Sequence, residues 1–67
     1  MNIEAVVAHF DEARGDGVLR DSRGQEFYFH CVQIADGSRR IDVGTEVTAR
    51  RVVGLRGRDE AADVQRR

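Results

Sequence analysis

The sequence predicts an all-β fold, a small closed antiparallel barrel of five strands, and three observations point to it. The chain has 67 residues, which is enough for a single domain over residues 1–67 with one modest core. Its β-branched and aromatic residues gather in short runs separated by Gly- and Asp-rich turn signals. A lone sheet built from such runs would leave one apolar face wet, whereas a sheet closed on itself hides that face and removes its edges.

The first strand is Ile3 to Phe10, rich in β-branched and aromatic residues and followed by the turn-like Asp11 to Gly15. Gly17 to Arg20 forms the second. A polar turn, Asp21-Ser22-Arg23-Gly24, then returns the chain along Glu26 to Cys31 as a hairpin partner. In this third strand the period of two puts Phe27, Phe29 and Cys31 on the inner face and Tyr28 and His30 on the outer one. A short helical turn is expected at Val32 to Ala35, stopped by Asp36-Gly37, with a polar loop running on to the Val43-Gly44 turn. Glu46 to Val53 is the fourth strand, facing Val47, Ala49 and Val53 inward after a change of pleat near Arg51. The turn Gly54-Leu55-Arg56-Gly57 leads to a weaker fifth strand, Arg58 to Val64, whose Glu60-Ala61-Ala62 has low β-propensity. A helix over Glu60 to Arg67 on a three-stranded sheet is the rival arrangement. Five short strands with these turns match an OB-fold barrel.

Composition narrows the function. Eleven Arg, no Lys and twelve acidic residues give a net charge of −1, so no global field draws the chain toward phosphate. Local patches must supply any such attraction: Arg39 with Arg40, and Arg50, Arg51, Arg56 and Arg58 around the Gly54 to Gly57 turn. The single cysteine, Cys31, rules out an internal disulfide and offers no zinc-finger spacing. Apolar runs are too short to span a membrane, and the amino terminus has no signal-peptide pattern. The expected location is therefore cytoplasmic. Gly15 and Gly17 do not form a phosphate loop, since no Lys-Ser/Thr follows them and no helix opens there. Adjacent strand residues point to opposite faces, so His30 and Cys31 make a poor nucleophile and base. No cofactor and no catalytic activity are expected.

The order of motifs resembles the cold-shock domain family. His9-Phe10-Asp11 stands where the family ends its first strand, and Arg14-Gly15-Asp16-Gly17-Val18-Leu19 is similar to its first nucleic-acid motif. Phe27-Tyr28-Phe29-His30-Cys31 is similar to the second. Ile34, the Gly44 to Val47 step and Ala62-Asp63-Val64 extend the match across nearly the whole chain. The departures concentrate on the surface that touches nucleic acid in that family: His9 stands for a Trp, Ala8 for a Lys, Asp16 and Val18 for two Phe, and Cys31 for another aromatic.

The resemblance implies binding of single-stranded RNA or DNA, where bases stack on exposed aromatic side chains and cations follow the backbone. The candidate residues are His9, Phe10, Arg14, Tyr28 and His30. Each lost platform costs about 1–3 kcal/mol per base, so the expected binding is weak. Asp16 would repel phosphate from the centre of the face, although an Asp between two glycines is also an ordinary turn residue. His9, Asp16 and His30 could share a face as metal ligands. The first and third strands would then stand about 9.6 Å apart, which strains a shared ion. A face stripped of aromatics but not of apolar atoms, with Val18, Tyr28 and Phe10 contiguous, alternatively suits a protein partner or a homodimer.

Overall fold

The computed structural model describes residues 2–54 and 57–67. It contains five strands: β1 (Asn2–Asp11), β2 (Asp16–Asp21), β3 (Glu26–His30), β4 (Glu46–Val53) and β5 (Asp59–Arg66), with a 3-10 turn at Cys31–Gln33 after β3. They close into a barrel in the order β1-β2-β3-β5-β4, with β4 pairing back onto β1. Among the described residues no helix is long and apolar enough to cross a membrane.

The expected barrel is present, but it is not purely antiparallel: β3 pairs with β5 in parallel, through Tyr28 and Glu60. Parity requires this. Strand direction cannot alternate all the way round a closed ring with an odd number of members, so one neighbouring pair must run the same way. The parallel seam falls where two strands distant in sequence meet, since parallel neighbours cannot be joined by a tight hairpin.

The interior follows from the alternation of side chains along each strand. The five largest fully buried side chains are Val7, Leu19, Phe29, Val47 and Val64, one from each strand in turn. Each contributes about 1.5–3 kcal/mol by leaving water. Ile34 closes one end of the core and bridges to Val64. Ile41, placed in the polar loop by its sequence neighbours, is buried as well. The loop's other large apolar residue, Val43, is exposed, so composition alone did not single out Ile41.

Several boundaries differ from expectation. Strand three ends at His30, and Cys31 opens the 3-10 turn, one residue before the expected helical turn begins. Cys31 is therefore not an inward strand residue but a half-buried one packed against the edge of the core. Val53 is 76% exposed rather than inward. Arg50 and Arg51 are both exposed, and the alternation does not resume in time to bury Val53. The rival helix over Glu60 to Arg67 does not form, because Asp59–Arg66 is strand paired along β4. There β5 carries an extra residue between the partners of Thr48 and Arg50, and Ala61 and Ala62 are both buried, Ala61 within the core. Asp63 takes a φ of 54°, a left-handed conformation that Asp tolerates better than most residues. Of the turn expected at Gly54 to Gly57, Leu55 and Arg56 lie outside the described residues.

Candidate nucleic-acid interface

A bulge in β1 fixes which side chains face out. Val7 pairs with Leu19, but His9 pairs with Val18, leaving Ala8 as an extra residue on β1. With strict alternation after Ile3, Ala5 and Val7, position 9 would point inward; the extra residue reverses the phase. His9 is consequently exposed, and Phe10 leans on the core. Its ring stacks on that of Phe29 with centroids 5.9 Å apart and an interplanar angle of 19°. Gly17 lies beneath this pair, where a Cβ would collide with the His9 carbonyl oxygen and both rings. Glycine there is a packing requirement.

Register then aligns two outward rows across the wall made by β1, β2 and β3. His9 pairs with Val18, which pairs with Tyr28; Asp11 pairs with Asp16, which pairs with His30. Three of the five candidate residues, His9, Tyr28 and His30, thus come to one wall. Arg14 joins at its rim from the β1–β2 turn. That turn is shaped by Asp11, whose Oδ1 accepts from the backbone N–H groups of Ala13 and Arg14 at 3.0 and 3.1 Å. Phe10 contributes differently, since one face of its ring is committed to Phe29.

Asp16 begins the middle strand of this wall and is only 8% exposed. Its Oδ2 accepts the Tyr28 hydroxyl at 2.7 Å and lies 3.2 Å from the Arg14 guanidinium. A buried carboxylate requires such partners. The carboxylate expected to repel phosphate is thereby paired with a cation, and it fixes the phenol in place. Hydrogen bonding to Asp16, with desolvation and the carboxylate's charge, raises the Tyr28 pKa above 10.0, so the phenol stays protonated and donates.

Over the Tyr28 ring stands a residue that the sequence puts in the arginine cluster around the Gly54 to Gly57 turn and at the start of the fifth strand. The Arg58 guanidinium carbon lies 4.3 Å from the centroid of the Tyr28 ring, within cation–π range. Its Nη2 is 4.0 Å from Glu60 Oε2. The Tyr28–Glu60 bridge brings the start of β5 beside Tyr28, a juxtaposition that only the barrel's parallel seam creates. Two guanidiniums, Arg14 and Arg58, therefore answer two carboxylates, Asp16 and Glu60, around one tyrosine.

His30 caps the 3-10 turn. Its Nδ1 accepts from the Val32 backbone N–H at 3.3 Å, which leaves Nε2 as the donor. Cys31 Sγ lies 3.9 Å from the same Nδ1, closer than opposite strand faces would allow, because Cys31 has already left the strand. Among the described residues no three His, Cys, Asp or Glu side chains gather as a metal-binding group, and His9, Asp16 and His30 stay dispersed across the three strands.

In the other arginine patches two side chains are engaged. Arg40 pairs with Glu12 at 3.5 Å and Arg51 with Asp59 at 2.9 Å, while Arg56 lies outside the described residues. Arg51 and the Gln25 amide hold both oxygens of Asp59. The Arg51 hydrogen bond, then that of Gln25, lowers the Asp59 pKa below the ordinary aspartate value.

No protein-family model matches the chain, and no curated protein does. Among solved structures it is similar to drosophila Unr CSD456, with a TM-score of 0.80 and 26% sequence identity over 100% of this chain. The matched region spans 27% of that longer chain. OB-fold barrels of this kind bind oligonucleotides, and the motif order, the closed five-stranded barrel and the likeness to the drosophila structure agree. The chain is a cold-shock-domain-like protein built on a nucleic-acid-binding fold.

Proposed function

We propose that this chain binds single-stranded RNA or DNA weakly in the cytoplasm, through residual base stacking and Arg–phosphate contacts, using His9, Phe10, Arg14, Tyr28 and His30 within a single domain. The observation that carries this reading is the cross-strand register that puts His9, Tyr28 and His30 on one outward wall with Arg14 at its rim. Tyr28, with the Arg58 guanidinium over its ring, and the imidazoles offer π-surfaces to unpaired bases, and the lone free thiol of Cys31 suits a reducing compartment. Affinity is limited because Val18 and Asp16 supply no platform, and local charges nearly cancel. Stacking, rather than a field of positive charge, therefore dominates.

Fluorescence anisotropy with labelled single-stranded RNA and DNA about eight nucleotides long, within the range one OB-fold covers, tests the proposal. Saturable binding in the micromolar range is expected. Engagement of one or two phosphates gives a slope of log K against log salt of about −0.7 to −1.4. Absence of binding at high micromolar protein contradicts it.

The half-buried Val18, flanked by His9 and Tyr28, favours a second reading in which the same wall docks a protein partner or a second copy. Light scattering of the purified protein separates this from the first: a concentration-dependent dimer supports self-association, and a monomer that binds oligonucleotide removes that arm.

A further inference from the structure

We infer that Arg58 is a nucleobase-stacking residue of this interface, forming with Tyr28 a two-layer platform on whose outer face an unpaired base lies. The inference rests on the single-strand-binding reading and adds to it a residue outside the two strand motifs.

Three observations carry it. The guanidinium lies over the Tyr28 ring at 4.3 Å, so a base arriving from solvent meets the planar cation before the phenol. The Arg58 side chain is 62% exposed, so most of it is open to solvent. The phenol is fixed by Asp16, which accepts the Tyr28 hydroxyl at 2.7 Å, and Glu60 Oε2 lies 4.0 Å from the Arg58 Nη2.

The chemistry follows from the guanidinium group. It is planar, delocalised and weakly hydrated, so it stacks on an aromatic ring on one side and on a base on the other. Its in-plane N–H donors can meet a phosphate oxygen beside the stacked base. In this way one residue supplies both a π-surface and a cation on a wall where Val18 gives neither. Stacking of this kind tolerates any base, since each has a π-face. A lysine would keep the charge but lose the plane.

The test titrates a fluorescein-labelled single-stranded oligouridine and its oligothymidine counterpart, each about eight nucleotides long, with the wild-type chain, Arg58→Ala and Arg58→Lys. Thermal unfolding of each variant serves as the folding control. Arg58 is at the surface, so melting is expected to stay unchanged while Arg58→Ala weakens binding about tenfold. Arg58→Lys should recover only a minor part of that loss. If the wild-type chain binds neither oligonucleotide, the function reading fails and this inference falls with it. If the wild type binds and Arg58→Ala binds as tightly or more tightly, the function stands and Arg58 is a bystander or a cover over Tyr28, which overturns the inference. Full recovery in Arg58→Lys overturns it too, because charge alone would then account for the contribution.

Discussion

Two walls of the same barrel use arginine in opposite ways. Beside β1 and β4, Arg67 lies 3.6 Å from Glu4 and 3.7 Å from Glu46, an exposed charge arrangement that contributes little beyond closing the end of the chain onto the barrel. Beside β3 and β5, Arg58 lies over an aromatic ring whose hydroxyl is held by a carboxylate. The first arrangement is charge against charge in water and is easily replaced. The second joins a π-face, a cation and a buried acid, and its parts come from different strands. The difference sets the wall where His9, Tyr28 and His30 align apart from the rest of the barrel.

The sharpest way to break the comparison is to remove the interior that both walls share. Phe29→Ala deletes a ring that is 1% exposed and stacked on Phe10. A loss of about 3–5 kcal/mol is expected, comparable to the whole stability of a domain this small. Circular dichroism during urea unfolding should find the variant largely unfolded. Gly17→Ala comes next, at about 1–3 kcal/mol, because the added methyl meets backbone at His9 as well as two rings. Its melting temperature should fall, and the stacked Phe10 should be displaced before the far wall is affected.

Two smaller effects sharpen the contrast through pH. Asp59 has a lowered pKa in the fold, chiefly from the Arg51 hydrogen bond and then from Gln25. The stability it contributes is present above the ordinary carboxylate range and is lost as pH falls through the folded value. Asp59→Asn should therefore flatten the acid side of the melting-temperature profile while leaving neutral binding of oligonucleotide intact. Tyr28 is raised above 10.0, with Asp16 as the leading cause. Its contribution is complete below the unfolded tyrosine pKa and is lost as pH rises through the folded value. As the chain has one tyrosine and no tryptophan, ultraviolet absorbance titration reports this phenol alone. The midpoint should lie above 10.0 and move back down in Asp16→Asn.

The interior was legible from sequence because its rule is local. Alternation along each run, with Val, Ile and Phe as the inward set, identifies Phe27, Phe29, Val47 and Ala49 without knowledge of their neighbours. The outward placement of Tyr28 and His30 follows from the same rule. What escaped it depends on register and closure. The Ala8 bulge that turns His9 outward appears only when β1 is paired with β2. The position of Arg58 over Tyr28 requires the parallel β3–β5 seam, which follows from an odd strand count but not from any single motif. Val53 was misjudged because one β-branched residue at the end of a strand does not say whether the pleat reaches it. The role of Asp16 was half legible: its charge was visible, but the phenol that its carboxylate holds sits twelve residues further along the chain.

The most direct test of the central claim, that the outward wall of β1 to β3 holds single strands while the interior only holds the fold, is anisotropy titration of the wild type, Tyr28→Ala and His30→Ala with one labelled oligonucleotide. Removal of a stacking residue should cost about 1–3 kcal/mol, or roughly fivefold to a hundredfold in affinity. Tyr28→Ala is expected to show the larger loss, with both variants still folded. Equal affinity for all three proteins would contradict the account and move binding off this wall.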